Sequence, residues 1–238
     1  MEKENQLQYE IKERGAMKDG QRQVSDRRLF MLLQVFTGCR SLEALIASLD
    51  QSRVEGVLYK DLQDSRGIGL LTLHEDPAFF SNELREFLSR SPFGELIQRL
   101  DFSMLGRTYS TGFEQDLDYW LLERPRRNVT NPEWPWAVWY PLRRTGAFAR
   151  LPHDEQGAIL REHAMIGRAY GEAELAHDIR LACHGLDPND NEFVVGLIGR
   201  KLYPLSHVVQ AMRRTRQTSE YIQSMGPFFI GQAAWQRG

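Results

Sequence analysis

One order of elements, strand-helix-strand-strand-helix-strand, occurs twice in this 238-residue chain. The first copy opens on an apolar run, Arg28 to Gly38 (RLFMLLQVFTG). A helix follows, with Ser41 as its cap and Leu42, Leu45, Ile46 and Leu49 on one face. Strands are expected near Val54–Lys60 and Gly67–His74, a second helix from Asp76-Pro77, and a strand from about Asp101 to Phe113. The second copy opens on Trp136–Arg144 (WAVWYPLRR). A helix is expected from Pro152 to Ala169, strands near Leu175–Cys183 and Glu192–Gly199, a helix from Pro204, and a last strand over Pro227–Gln232. The copies even end alike, LIQRLDFSMLGRTYS against YIQSMGPFFIGQ. A repeated unit of this order implies two ferredoxin-like modules, hence an α+β chain whose antiparallel sheets merge around a shared interior.

The expected organisation is a flexible tail over 1–25, an N-terminal module over 26–113, a linker over 114–135 and a C-terminal module over 136–238. The linker is rich in Trp, Arg and Pro and reads as ordered rather than as a flexible spacer. A net charge of −2 gives no general attraction to nucleic acid or anionic membrane. No apolar run approaches the ~20 residues of a membrane helix. The polar start MEKENQLQYEIKERG is no secretory signal, and two cysteines, Cys39 and Cys183, without CxxC spacing suit a reducing, cytoplasmic setting.

No HExxH, GxSxG or glycine-rich phosphate loop occurs, so zinc protease, hydrolase and nucleotide-binding readings have no motif. Of six histidines, His163 stands out: it lies on the helical stripe Ile159, His163, Ile166, Tyr170. On helix position alone a satisfied core histidine is the better reading, but a neutral imidazole on an apolar face can nevertheless hold a metal through one nitrogen. In WAVWYPLRR, strand alternation sets Trp136, Val138 and Tyr140 on one face and Ala137 and Trp139 on the other. Arg143-Arg144 follows directly, Arg126-Arg127 sits in the linker, and MRRTRQTS (212–219) ends a helix. A solvated helix face explains the last run as well as a ligand does. Taken together, arginine clusters, a Trp/Tyr strand and a buried histidine describe a site for a flat, apolar ligand with carboxylates, such as an iron porphyrin.

At these residues the sequence resembles the chlorite dismutase superfamily, in particular its coproheme decarboxylase branch. The matching segments are WYPLRR, REHAMIGRAYG, HGLDPNDNEFVVGL and VVQAMRRTRQTSEYIQSMGPFFIG, within a resemblance from about Arg28 to Trp235. The resemblance implies a dimeric α+β barrel of duplicated modules, a homopentamer, and conversion of iron-coproporphyrin III to haem b with hydrogen peroxide. It implies His163 as proximal iron ligand and Tyr140 as radical relay. Arg213, Thr218 and, more loosely, Arg126 match propionate-binding positions, and Arg144 stands where a lysine is usual. The distal side departs from the pattern. Where the family has Arg or Gln, counting forward from His163 reaches Ala176, and counting back from Gly185 reaches Asp178. Arg180 has the strand parity of Asp178 and could reach inward. The rival classes are a peroxidase or chlorite dismutase of the same superfamily and a non-enzymatic haem-binding protein.

Overall fold

The computed structural model describes residues 9–90 and 92–238; the start of the expected tail, residues 1–8, lies outside them. Residues 9–25 do not form a plain tail. Strands β1 (Glu13–Lys18) and β2 (Gln21–Ser25) make an antiparallel hairpin. Its turn is Asp19-Gly20, both at positive φ (52° and 80°), the pairing that two-residue hairpin turns demand. That dipeptide is the local signal for the hairpin, and the expectation of a tail passed over it. The hairpin is tied to the body by Ala16 N–H donating to Glu114 O at 2.8 Å and by Gln23 Nε2 donating to Glu114 O at 3.2 Å.

The first repeat runs β3 (Phe30–Thr37), α1 (Leu42–Asp50), β4 (Gly56–Asp61), β5 (Ile68–His74), α2 (Ala78–Ser81), α3 (Glu83–Ser89) and β6 (Ile97–Arg107). Ser41 caps α1 as expected, accepting from Ala44 N at 3.2 Å. The single helix expected after Asp76-Pro77 is two short ones that meet at Asn82. Between the repeats stand a π-helical turn (Tyr119–Glu123) and α4 (Arg124–Val129), so the linker is ordered. The second repeat runs β7 (Trp136–Arg144), α5 (Gly146–Ala149), α6 (His153–Glu172), β8 (His177–Ala182), β9 (Phe193–Gly199), α7 (Leu202–Met212), a second π-helical turn (Gln217–Tyr221), β10 (Ile222–Met225) and β11 (Phe229–Arg237).

Strand order within the first repeat is β4-β5-β3-β6 and within the second β8-β9-β7-β11, the same order in both. The fourth strand of each repeat pairs with the second strand of the other: β11 with β4, and β6 with β8. All these pairings are antiparallel, and together they close an eight-stranded barrel, with β10 attached to β7. The α+β class and the duplicated ferredoxin-like arrangement are therefore as the sequence implied. Closure removes the free sheet edges that would otherwise invite aggregation.

Alternation along each strand separates three cores. Ala137 and Trp139 point into the barrel with Met31, Tyr59, Leu71 and Phe229. Trp139 fits because β9 has glycine opposite: a Cβ on Gly196 would sit 2.5 Å from its ring. Outside the barrel, α1 and α3 pack over β3–β5 through Leu45, Leu49, Leu58 and Leu70. On the other side α6 and α7 cover Val138, Tyr140 and Leu197. No helix among the described residues is long and apolar enough to cross a membrane.

Candidate functional site

Between the outer face of the second repeat and its helices lies a cavity of about 640 Å³. That is within the usual range for a small-molecule or cofactor site, ~300–1,000 Å³. Strand β7 supplies Tyr140 and Leu142, β9 supplies Val195 and Leu197, and β8 supplies Asp178 and Arg180. Helix α6 supplies His163, and α7 supplies Val208, Val209 and Met212. The cavity exists because α6 is thin where it faces the barrel: Ala164, Gly167 and Gly171 lie along that stripe. A Cβ on Gly167 would meet only Met212 Cε, at 3.7 Å, so the missing side chain leaves open room.

His163 sits in the wall with Nδ1 buried and without a hydrogen-bond partner among the described residues. The side chain lines the cavity. Burial, reinforced by the positive charge of Arg180, lowers its pKa below the ordinary histidine value, although Asp178 and Glu162 pull the other way. The ring is therefore neutral at pH 7, which is the form that ligates a metal. Among the described residues no three His, Cys, Asp or Glu cluster as a metal site. A metal bound here by His163 would have to bring most of its own ligands, as iron in a porphyrin does.

Tyr140 is 6% exposed and stacks on Phe228, ring centroids 4.6 Å apart at 25°. Its hydroxyl makes no hydrogen bond among the described residues. Burial, and secondarily the charge of Asp178, raises its pKa; Arg213 acts in the opposite sense. The phenol thus keeps its proton and opens on the same cavity as His163.

Asp178 accepts from Arg124 Nη2 at 2.7 Å and lies 3.0 Å from Arg180 Nε through its other oxygen. Burial alone would favour its neutral form, but Arg180 and Arg124 outweigh it and hold the carboxyl below the usual range. Arg124 is also stacked over the Trp120 ring at 4.4 Å. On the rim, Trp134 and His177 stack with centroids 3.6 Å apart. Arg127 and Arg168 line the cavity and have no ion pair or side-chain hydrogen bond among the described residues.

Of the residues singled out in the sequence, His163, Tyr140, Asp178, Arg180, Arg127 and Thr218 meet at this cavity. Three arginines do not line it. Arg126 turns away to Glu55 and to Leu122 O. Arg144 pairs with Glu192 at 3.0 Å and lies over Phe148 and Phe193. Arg213 is exposed at the end of α7 and reaches Tyr140 only through its field. Asp178 is engaged by arginines, so it is no partner for a ligand carboxylate. Ala176 is buried among Val138, Leu197 and Leu205, away from the lining. Arg124 and Arg168 were not among the residues expected from sequence, and of the pair Arg126-Arg127 it was Arg126 that was matched to a propionate position. Helical spacing was the available signal: 124 and 127 are one turn apart, and an ordered linker could only present one of Arg126 and Arg127 to a given side.

The residues fit an iron porphyrin. A neutral imidazole faces a cavity with flat apolar walls (Val195, Leu197, Val208, Met212), and unpaired cations stand at the rim for carboxylates. Residues 17–234 match the family model described as Chlorite dismutase. No curated protein sequence matches the chain. A solved structure described as a novel heme-binding protein from Thermus thermophilus is similar with a TM-score of 0.68 at 21% identity, over 87% of this chain and 91% of that one. Chlorite dismutase from Candidatus Nitrospira defluvii, solved in complex with imidazole, gives 0.68 at 13% identity over 89% and 93%.

Proposed function

The chain belongs to the chlorite dismutase family, and on that footing we propose that it is a coproheme decarboxylase, converting iron-coproporphyrin III to haem b with hydrogen peroxide. The observation that carries this reading is the placement of Tyr140 and His163 on one cavity. The porphyrin, when bound, supplies the iron that reacts with peroxide and is also the substrate. His163 holds it as a neutral ligand. Arg127 and Arg168 orient its carboxylates by charge-assisted hydrogen bonds. Tyr140, protonated and without a hydrogen-bond partner, presents an O–H able to lose a proton and an electron beside a substrate propionate. Arg213 keeps a positive charge near that phenol. The four apolar wall residues exclude water around the ring edge.

The test is Tyr140→Phe. The variant keeps the ring and its stacking on Phe228, so it should fold, bind iron-coproporphyrin and still consume peroxide at the iron. It should not remove the propionate carboxyls, and mass spectrometry of the porphyrin reads this directly. Full conversion to haem b by the variant refutes the relay and the decarboxylase reading with it.

One observation favours a second reading. The sequence alone offered no cation at Ala176 or Asp178, yet Arg180 stands on the cavity face. An oxyanion reaction such as oxygen release from chlorite needs such a cation. Arg180 is already engaged by Asp178, so the expectation remains no rapid oxygen evolution from chlorite, measured with an oxygen electrode.

A further inference from the structure

The cavity that His163 lines also holds two guanidinium groups and one carboxylate, and the carboxylate touches both. Arg124 Nη2 lies 2.7 Å from one oxygen of Asp178, and Arg180 Nε lies 3.0 Å from the other. Asp178 and Arg180 are two apart on β8 and so point to the same face, opposite Leu197 and Val195 of β9. Both charges are close enough to His163 to act on its protonation, in opposite senses. The pair therefore stands in the wall of the cavity that a small molecule must enter to reach a metal held by His163.

We propose that Asp178 is a specificity-determining residue. It acts as a built-in counter-anion that occupies Arg124 and Arg180 and bars small anions from the region facing His163, leaving that region to neutral oxidants. This rests on the reading that His163 holds an iron porphyrin there. A tethered carboxylate competes at an effective concentration in the millimolar range or above, without any cost of bringing it in. It stays ionised because the two arginines hold its proton affinity down. A free anion must displace it and leave it unpaired in a confined space, which is costly. A neutral molecule such as hydrogen peroxide has no such competitor. Larger carboxylates are served by Arg127 and Arg168, whose guanidinium groups are unpaired among the described residues.

The experiment is a titration of the ferric porphyrin-loaded protein with azide, followed by absorbance, with imidazole as the neutral control. Asp178→Asn should bind azide about tenfold more tightly than the parent, the worth of one charge-assisted hydrogen bond made available. Asp178→Glu should stay near the parent, and imidazole affinity should be unchanged in both. Adding Arg180→Gln to Asp178→Asn should abolish the gain, which assigns it to the freed guanidinium. Arg180→Gln alone should leave azide affinity unchanged. Equal azide affinity in Asp178→Asn and parent overturns the proposal. So does a tenfold loss in Arg180→Gln alone, a measurement that stands even where Asp178→Asn does not fold. Calorimetric titration of the porphyrin-free protein with nitrate should give the same ranking of variants. A protein that takes up no porphyrin therefore defeats the functional reading, while the nitrate ranking still decides on Asp178.

Discussion

The two repeats share strand order and helix placement, yet one is filled and the other is hollow. In the N-terminal repeat, α1 turns Leu42, Leu45, Ile46 and Leu49 to the sheet, and Leu45 and Leu49 are 1% and 0% exposed. In the C-terminal repeat the matching helix, α6, packs Ile166 and Tyr170 on the core but lines a cavity with Ala164, Gly167, Gly171 and His163. Each small residue leaves volume open, as at Gly167, where a Cβ would meet only Met212 of α7. The same architecture thus yields a core on one side and a site on the other. The difference is in side-chain volume along one helical stripe, and it needs no change of topology.

The largest effect on porphyrin binding is expected from filling the hollow. Gly167→Leu gives α6 the character of α1. The new side chain enters the cavity beside Met212, and binding of iron porphyrin should be lost, read as no absorbance change on titration. Stability should not fall, since a helical glycine is itself unfavourable by ~1 kcal/mol. A variant that still binds would show that the hollow is not set by this stripe.

His163→Ala should weaken binding by at least about a hundredfold. Removing only a hydrogen-bond partner of a ligand already costs metal sites ~10–100-fold, and here the ligand itself is lost. The spin and ligation spectrum should change with it. An unaltered spectrum sinks the assignment. His153→Ala and His207→Ala, outside the lining, should do little.

A smaller effect is expected from pH. His163 takes up its proton at a lower pH than a free histidine, which does so at ~6.5, because burial disfavours the charged ring. Proton competition for the ring should therefore set in at lower pH than for a free histidine, and affinity should fall on acidification with a midpoint below ~6.5. The same lowered pKa means that the unfolded chain binds the proton first as pH drops. This histidine thus withdraws stability from the fold progressively below pH 6.5 and contributes no penalty above it. A midpoint at or above 6.5 in the binding profile would contradict a buried, neutral ring.

Leu45→Ala makes the reciprocal change in the filled repeat. It should cost ~2–5 kcal/mol of stability by denaturant titration and leave porphyrin affinity per folded molecule unchanged. Loss of affinity in this variant would mean that the two repeats are coupled through the barrel rather than divided between support and site.

Much of this was legible in the primary structure. Apolar periodicity marked the repeat, because strands and helices must each turn one apolar face to a core. Alternation in WAVWYPLRR separated Tyr140 from Trp139, since successive residues of a strand face opposite ways. The helical stripe picked out His163. Local rules failed where the contact is long-range. Arg126 and Arg127 are equivalent as composition, but Glu55, 71 residues away, claims the first, and the second faces the cavity. Arg144 beside Tyr140 looked like a ligand group until Glu192, just before the neighbouring strand β9, took it up.

The duplication and the antiparallel α+β architecture are written in local volume, polarity and period, which also set His163 and Tyr140 on inward faces, while their roles came from the family resemblance. Which charges are free is not so written. An arginine's role depends on whether a carboxylate distant in sequence comes within hydrogen-bond range, and closing the barrel settles that. Arg124, Asp178 and Arg180 become one ion-paired group because α4 of the linker folds against β8.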